Sequence, residues 1–576
     1  MTLQSVLQIA LTLLIGALVS VPVGRYLAKV VTDRKTILDR VCNPIDNFIY
    51  LLIGKQVCTE PMSWKAYTVH MLATNAFMAV IIYLVLVLQD HLPLNPLHFA
   101  GVAPLLAFNT AISFITNTDW QAYGGETTLS IFSQMAAITF PMFTSAATGF
   151  VVAMAFIRAF AIKSGGADLG NFYRDLVRFT TRVLMPAAFV LAILLIQQGE
   201  PQTLDAAVSA RTLQGAEQTI ALGPVASLET IKHLGTNGGG FFNANAAHPF
   251  ENPTPITNLV QTLLMVILPA SIVLCFGEMI GNRRQGYVLY GVMGALLLVF
   301  LPVTIASEQA GAPIFVNAGI ETTPTLDQPG GNMEGKEVRF GIAQSGLFAA
   351  ITTSFTTGSV NAMHDSFTPL GALALFVGMM LQCIFGGKGV GFLAALSYGI
   401  IAVFVAGLMV GRTPEFLGKK IEKAEIILVS LVLLIHPLVI LAPTGWSVVA
   451  PYGLASMANA GPHGYSEVLY AFSSSAANNG SAFAGLNAGA PWYEWATAFV
   501  ILIGRYPPII FMMAVAGSIA LKPITPATTA TLRTDTATFG IFWFATILIV
   551  GALTFFPALV LGPIAEFFAM KSGQVF

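Results

Sequence analysis

The chain has 576 residues, of which 55% are hydrophobic and only 10% are charged, and its formal net charge is -1. About a quarter of the residues in a soluble globular protein are charged, so this composition excludes that class and indicates a polytopic protein of the lipid bilayer. The net charge points to no bulk electrostatic partner, and no basic stripe typical of nucleic-acid binding is present.

Ten apolar stretches are long enough to cross a bilayer, which takes roughly 20 helical residues. In chain order they lie near 3–24, 68–88, 131–157, 179–197, 257–280, 287–306, 367–411, 424–442, 493–520 and 537–562. The stretch 367–411 exceeds one crossing and is treated as a single interrupted span. A basic loop follows the first stretch and no basic residue precedes it, so we predict a retained helix instead of a cleaved signal peptide.

Lysine and arginine are concentrated in alternate loops, and basic residues near span ends are retained on the cytoplasmic side. Five loops hold twenty of them and the other loops hold five, while the segments 89–130 and 443–492 have none. We therefore predict that the basic loops are cytoplasmic and that both termini lie outside. No cysteine falls in an outer loop, so no disulfide framework is expected. The four cysteines are Cys42, Cys58, Cys275 and Cys383.

Four short polar segments recur at a nearly constant interval. They are Thr116-Asn117-Thr118, Asn237-Gly238-Gly239, Thr357-Gly358-Ser359 and Asn479-Gly480-Ser481. The steps from Thr118 to Gly238, Gly358 and Gly480 are 120, 120 and 122 residues. Each segment follows an apolar run too short to cross the bilayer, and each lies on the predicted outer side. Because ordinary outer loops would not repeat in this way, these runs are predicted to be re-entrant pore helices, at about 102–115, 224–235, 342–356 and 465–477.

The fold prediction is an all-α polytopic membrane protein of about ten transmembrane helices. Four pseudo-repeats of helix, pore helix, filter loop and helix surround one pore. The first helix and a cytoplasmic loop occupy 1–65, and the last helix occupies 531–576. The repeats occupy 66–176, 177–285, 286–423 with an intramembrane loop, and 424–530.

The polar segments have the residue types of a cation filter. Backbone carbonyls in extended loops replace the water around an ion, and glycine allows the backbone twists that align them. The predicted filter comprises Thr116, Asn117, Thr118, Thr236, Asn237, Gly238, Gly239, Thr357, Gly358, Ser359, Asn478, Asn479, Gly480 and Ser481. No Asp or Glu lies inside the four triplets, and the first has Thr118 where the others have glycine. This chemistry favours K⁺, which costs less to dehydrate than Na⁺, over divalent cations.

Two basic residues are predicted inside the membrane. The third repeat is about ten residues longer than the others between its filter and the next basic loop, and the glycine-rich segment 386–391 interrupts its apolar run. We predict an intramembrane loop at Gly387, Lys388 and Gly389 that gates or obstructs the pore, with Lys388 facing the ions. The alternative is a glycine kink with a snorkelling lysine. Arg505 is the second basic residue predicted inside the membrane, where it would repel K⁺ from a straight path below the filter. The alternative is that it pairs with Glu278 or with helix carbonyls.

Several long motifs then point to one family. The segment 236–253, which begins Thr-Asn-Gly-Gly-Gly-Phe-Phe-Asn, closely resembles the A subunit of bacterial Kdp potassium-importing ATPases. Further segments agree, at 117–121, 358–365, 411–415 and 478–485. The resemblance implies a channel-like subunit of the bacterial inner membrane that binds K⁺ at an outer filter and passes it sideways to a P-type ATPase B subunit. It also implies a single-span C subunit and, often, a very small fourth peptide. Gln121 matches the family motif as a filter neighbour that affects affinity.

The resemblance also places ATP and Mg²⁺ on the partner, with K⁺ as the only species bound here. The chain has no Asp-Lys-Thr-Gly phosphorylation motif, no P-loop and no soluble segment large enough for a nucleotide domain, so it is not predicted to be an enzyme by itself. The nearest alternative is a stand-alone potassium channel or uniporter of the same superfamily. A more distant one is a membrane metalloenzyme using outer-face histidines, which lie in different repeats without helical ligand spacing. These are His233, His248, His364 and His463.

Overall fold

A computed structural model describes residues 3–325, 328–526 and 531–574 and is almost entirely helical. Within the described residues, ten helices are long and apolar enough to span a membrane. They are Leu3–Val31, Trp64–Val87, Ile131–Ala161, Phe172–Gln197, Pro255–Met279, Arg283–Phe315, Val390–Val410, Lys423–Ser447, Pro491–Leu521 and Ala537–Lys571. The predicted all-α class with about ten spans is confirmed.

Four shorter helices, called the first to fourth pore helices, lie between pairs of spans. They are Pro104–Ile115, Val225–Leu234, Gly341–Ser354 and Gly461–Ala476. At ~1.5 Å per residue none is long enough to cross the hydrocarbon core, yet the last two turns of each are buried inside the protein. Each ends at one of the predicted polar segments, which the structure places in the interior as the first to fourth filter loops.

The interrupted span consists of two helices, Pro369–Leu381 and Val390–Val410. The segment between them, residues 382–389, is called the intramembrane loop. Three of its non-glycine residues, Gln382, Phe385 and Lys388, have left-handed backbones with φ of 52°, 60° and 50°. Left-handed L-residues do not continue a right-handed helix, so the break predicted from the glycine-rich segment is present in the backbone.

The remaining elements lie in the loops. The basic loop after the first span contains the helix Asp39–Ile53. The described part of the chain has two antiparallel hairpins. One pairs Ala207–Arg211 with Glu217–Ala221, with Ala207 opposite Ala221, and the other pairs Glu415–Phe416 with Lys419–Lys420. The short helical turns are Gln89–His91, Gly125–Thr128, Asn245–Ala247, Pro313–Asn317, His364–Ser366 and Pro451–Leu454.

The first and last spans pack on the outside of the repeats. The first runs along Pro255–Met279, where the Ser271 hydroxyl donates a 3.2 Å hydrogen bond to the carbonyl of Ser20. In the last span, the Trp543 indole nitrogen donates a 3.0 Å hydrogen bond to the carbonyl of Ala395. Each of these helices therefore packs against the second helix of a predicted repeat.

The basic loops meet on one face of the molecule. The Met62 amide donates to the Gly170 carbonyl at 2.8 Å, and the Ile524 amide donates to the Lys163 carbonyl at 3.1 Å. Near the N-terminus, Gln344 at the start of the third pore helix donates to Gln8 at 3.1 Å. Both neighbourhoods agree with a bundle that has one basic end and one end where the pore helices begin.

Candidate ion-binding site

The four filter loops leave their pore helices in the same way. The second residue after each helix has a left-handed backbone: φ is 60° at Asn117, 52° at Thr236, 45° at Thr356 and 53° at Asn478. The amide of the next residue then donates back to a carbonyl five positions earlier. These bonds run from Thr118 to Ser113, Asn237 to Lys232, Thr357 to Thr352 and Asn479 to Ser474, at 3.1, 2.8, 2.9 and 2.8 Å. The loops are therefore structural equivalents.

This register corrects the expected alignment of the first repeat. Thr118 makes the bond that Asn237, Thr357 and Asn479 make, so it is not the counterpart of the glycines. The glycine position of the first loop belongs to Asp119, whose φ of 56° is left-handed like the φ of +96° at Gly358. The predicted alignment of the four segments matched residue types and placed the first segment one residue away from its structural equivalents. A single carboxylate, that of Asp119, consequently lies at a position equivalent to the glycines, although no Asp or Glu was predicted inside the filter segments.

The loops converge on one point. A Cβ at Gly238 would lie 2.9 Å from the carbonyl oxygen of Asn479 and 3.0 Å from Cα of Gly480, and closer still to the carbonyl oxygen of Thr118. Backbone atoms from the first, second and fourth loops thus crowd one small region, and Gly358 of the third loop adjoins it. Carbonyl oxygens that converge in a fully buried site are the ligands a monovalent cation requires.

Side-chain amides tie neighbouring loops together. Asn117 in the first loop donates to the Thr236 carbonyl in the second at 2.9 Å. Asn478 in the fourth loop donates to the Thr118 hydroxyl in the first at 3.1 Å. The Asn479 amide reaches the Thr352 carbonyl of the third pore helix at 2.8 Å. The amide groups of these asparagines are therefore engaged in holding neighbouring loops together.

Asn245 joins the second and third loops and was not identified from the sequence. Its amide donates to the carbonyl of Gly239. Its side-chain oxygen accepts from the Ser359 hydroxyl and the Val360 amide, each at 3.3 Å, and from the Lys232 ammonium at 3.0 Å. The only sequence signal was its place in the segment 236–253, because a single asparagine six residues beyond Gly239 has no periodic pattern.

A buried cluster of charges supports the second loop from behind. The Lys232 ammonium lies 2.7 Å from a carboxylate oxygen of Glu229 and 2.7 Å from one of Glu251. Glu251 in turn accepts a 2.7 Å hydrogen bond from the Phe242 amide. Burial, followed by the charge of Glu251, raises the pKa of nearby Glu200 from 4.5 to about 9, although Lys232 opposes the shift. Glu200 is therefore neutral at pH 7.

The remaining predicted filter residues act as supports at the ends of the loops. The Ser359 hydroxyl lies 2.9 Å from His233 Nε2, and the Ser481 hydroxyl lies 2.8 Å from the Tyr470 hydroxyl. The Thr116 hydroxyl donates to the Ile112 carbonyl at 2.9 Å, within its own pore helix. At the outer edge, the side-chain oxygen of Gln121 accepts a 2.8 Å hydrogen bond from the Gly240 amide, linking the first and second loops.

The intramembrane loop lies directly beneath the filter. The Gly387 amide donates to the Thr356 hydroxyl at 2.8 Å, and a Cβ at Gly387 would lie 2.5 Å from Cβ of Thr236. The Lys388 ammonium donates to the carbonyl of Asn117 at 2.6 Å and to the carbonyl of Asn478. The loop therefore contacts the innermost residue of all four filter loops. Because Lys388 is fully buried, the alternative of a snorkelling lysine is wrong.

Arg505 lies beside the same loop. It is only 2% exposed, and a Cβ at Gly149 would lie 2.7 Å from Arg505 Nη2 and 3.1 Å from Cβ of Lys388. Across the described residues, neither terminal guanidinium nitrogen of Arg505 has a hydrogen-bond partner. The alternative pairing with Glu278 or helix carbonyls is therefore absent at these two nitrogens, and Glu278 pairs instead with Arg283 at 2.8 Å.

The outer-face histidines do not assemble into one metal site. His233 contacts Ser359, and His364 Nδ1 lies 2.7 Å from the Tyr470 hydroxyl. His463 lies between Asp365 and Glu566, at 3.0 and 2.8 Å. Burial lowers the pKa of His248, which stacks on Phe242 with ring centroids 3.8 Å apart. The four imidazoles have separate supporting contacts, so the geometry gives no support to a metal site built from these histidines together. His463 alone has possible co-ligands, because carboxylate oxygens of Asp365 and Glu467 lie within 4.8 Å of its ring nitrogen.

The fold and the site define a helical membrane protein in which the loops after four short buried helices converge on one central site lined by backbone carbonyls. The solved structure of the potassium transporter TrkH from Vibrio parahaemolyticus has a similar fold. Its TM-score is 0.51 at 13% sequence identity, and the match covers 89% of this chain and 99% of that one.

Sequence comparison then identifies the family. The family model KdpA, described as the potassium-transporting ATPase A subunit, matches residues 10–568. The chain is 50% identical over 571 residues to the potassium-transporting ATPase potassium-binding subunit of Delftia acidovorans, covering 99% of each chain. It is 51% identical over 566 residues to the protein of the same name from Alicyclobacillus acidocaldarius, covering 98% of this chain and 99% of that one. The chain belongs to the potassium-transporting ATPase A subunit family.

Proposed function

We propose that this chain is the potassium-binding and translocating subunit of an ATP-driven potassium importer. The observation that carries the proposal is a carbonyl-lined filter with its inner end covered by the Lys388 loop. An open channel needs a continuous path below its filter. A covered filter suits a subunit that binds the ion and passes it to another protein. Membership of the potassium-transporting ATPase A subunit family supports the same role.

In this proposal the equivalent backbone positions of the four loops bind K⁺. The carbonyls at Thr118 and Asn479 approach the filter glycines and are the best candidate ligands. The corresponding positions in the other loops are Asn237 and Thr357. Carbonyl oxygens replace the hydration shell of K⁺ more readily than that of the more strongly hydrated Na⁺. Gln121 would influence affinity through the Gly240 amide at the outer edge.

The intramembrane loop and Arg505 would close the straight path. Gly387 and Lys388 contact the innermost filter residues, and Gly389 lies against the Gly149 carbonyl, with a Cβ there 2.6 Å from that oxygen. Arg505 adds a second buried positive charge at the same level of the structure. A cation leaving the filter would meet both charges, so K⁺ would leave sideways, towards a partner subunit.

The partner of this proposal is a P-type ATPase B subunit that binds ATP and Mg²⁺ and hydrolyses ATP. A single-span C subunit and a very small fourth peptide would complete the complex. The proposed location is the bacterial inner membrane, with the basic loops in the cytoplasm and both termini outside. The distribution of lysine and arginine supports this orientation.

The test is K⁺ uptake and ATP hydrolysis in proteoliposomes containing this chain, with and without its candidate ATPase partners. ATP-dependent, K⁺-specific uptake only in the joint preparation is expected. Passive K⁺ flux through this chain alone, unaffected by ATP, would overturn the proposal and establish the stand-alone channel.

A further inference from the structure

Asp119 is the one acidic residue at a filter glycine position, and its carboxylate has no ordinary structural partner. It is fully buried. Neither carboxylate oxygen accepts a hydrogen bond from any group in residues 3–325, 328–526 and 531–574. An unpaired buried carboxylate is costly, so a native protein normally supplies a counter-ion or a ligand.

Two buried cations, Lys388 and Arg505, lie beside each other beneath the filter loops. The Lys388 ammonium donates to the carbonyl of Asn117, two residues before Asp119. No direct ion pair joins Asp119 to either cation within the described residues. The Lys388 ammonium therefore lies at the innermost carbonyls of the filter, and Asp119 lies two residues further along the first loop.

The Lys388 ammonium has the surroundings of a bound monovalent cation. Carbonyl oxygens from the first and fourth loops, at Asn117 and Asn478, both accept from its Nζ. A K⁺ ion in a carbonyl-lined filter is held by the same kind of ligand. The lysine side chain tethers this positive charge in place, so it cannot be carried through the filter.

A tethered cation creates a difficulty for the ion that the filter is to bind. Consecutive residues of an extended chain are only about 3.3–3.6 Å apart. A K⁺ ion one or two residues above the ammonium would therefore be strongly repelled at the low effective dielectric of a buried site. A carboxylate in the first filter loop, which also binds the ammonium through Asn117, offsets that repulsion.

We propose that Lys388 and Asp119 form a fixed charge pair that sets the K⁺ affinity of this filter. The Lys388 ammonium fills the innermost cation position, and the Asp119 carboxylate balances its charge so that K⁺ binds in the layers above. This inference rests on the proposed function of the loops as a K⁺ filter. It assigns Asp119 as an affinity-determining residue and Lys388 as the occupant of an ion position.

A double-mutant cycle tests the pair. K⁺ dissociation constants are measured by titration of the purified full chain in detergent for the wild type, Asp119→Asn, Lys388→Met and the double variant. Asp119→Asn is expected to weaken K⁺ binding at least about tenfold, because the ammonium is left unbalanced. The double variant is expected to bind within about threefold of the wild type, because both charges are gone.

Two results would overturn the charge pair: an Asp119→Asn variant with wild-type affinity, or a double variant as weak as Asp119→Asn. Lys388→Gln is a second variant that removes the positive charge. If charge alone matters, combining it with Asp119→Asn must restore K⁺ affinity as Lys388→Met does. Asp90→Asn removes an exposed outer-face carboxylate and is the matched control, with affinity unchanged. Elution on size exclusion verifies that each variant is folded.

A filter variant separates this inference from the proposed function. If Gly358→Ala keeps wild-type K⁺ affinity, the loops are not the filter and the proposed function fails. If Gly358→Ala loses K⁺ binding while the Asp119→Asn penalty is unaltered by Lys388→Met, the filter stands and only the charge pair fails.

Discussion

Replacing Gly358 with alanine perturbs the centre of the filter with a single methyl group. Gly358 has a φ of +96°, and a Cβ there would lie 2.7 Å from Cα of Gly238 and closer still to the carbonyl oxygen of Asn479. Real Cβ atoms essentially never come within 3.0 Å of such neighbours. Both neighbours are backbone atoms, so the second, third or fourth loop has to move.

The expected loss of affinity follows from that displacement. A binding site keeps its function only when its ligands stay within about 0.5 Å of the productive geometry. A shift of the Asn479 carbonyl large enough to relieve the contact is of this size or larger. We expect Gly358→Ala to weaken K⁺ binding about hundredfold, which corresponds to ~2.7 kcal/mol. An alanine forced into this left-handed backbone is also strained, which should lower the free energy of unfolding by about 1–3 kcal/mol.

Gly341→Ala separates the two contributions. Gly341 also has a left-handed backbone, with φ of +67°, but nothing lies within 4 Å of the position that a Cβ would take. It begins the pore helix that leads to Gly358. Gly341→Ala should lower the unfolding temperature through strain and leave K⁺ affinity unchanged.

The assay is the K⁺ dependence of the unfolding temperature of the purified full chain, because a ligand bound to the folded state raises stability with its free concentration. A folded Gly358→Ala variant with a K⁺ dissociation constant within about twofold of the wild type would refute the reasoning. An equal loss of affinity in Gly341→Ala would show that backbone strain, and not crowding at the filter, is responsible.

Three further changes test the supports of the site. Asn245→Ala should weaken K⁺ binding about tenfold and destabilise the fold by about 1–3 kcal/mol, because the Gly239 carbonyl and Lys232 lose a partner; unchanged titrations would mean that the second and third loops are held independently. Arg505→Ala should permit K⁺ leak from proteoliposomes that contain the complete complex without ATP, whereas tight coupling with no leak would contradict a role in closing the path. Glu200→Gln should raise the unfolding temperature at pH 8 and have little effect at pH 4.5. The pKa of Glu200 is about 9 in the folded protein and 4.5 in the unfolded chain, so between these values only the unfolded chain is ionised and unfolding is favoured. Glutamine cannot ionise and removes this destabilising effect. An equal effect at both pH values would argue against a neutral buried Glu200.

Much of the architecture was predictable because the bilayer imposes simple constraints on sequence. Apolar length located the spans, and the repeated polar segments located the pore helices to within a few residues. The intramembrane loop was predictable from the extra length of the third repeat and from the glycines around Gly387, since glycine-rich backbone at that depth cannot be exposed to lipid.

The details of the filter were not predictable because they depend on where each pore helix ends. Thr118 resembles a filter residue by type, but the hydrogen bond from its amide to Ser113 gives the glycine position to Asp119. Asn245 joins Gly239 to Ser359, residues 120 apart in the sequence, and no local spacing reports such a contact. The contact of Lys388 with Asn117 likewise depends on tertiary packing.

The most direct test of the filter is anomalous X-ray scattering from crystals of the protein in which Rb⁺ replaces K⁺. We expect a Rb⁺ peak among the backbone carbonyls at Thr118 and Asn479 and their equivalents in the other two loops, on the outer side of the Lys388 ammonium. Strong Rb⁺ peaks elsewhere in the protein, with none among the four filter loops, would contradict it.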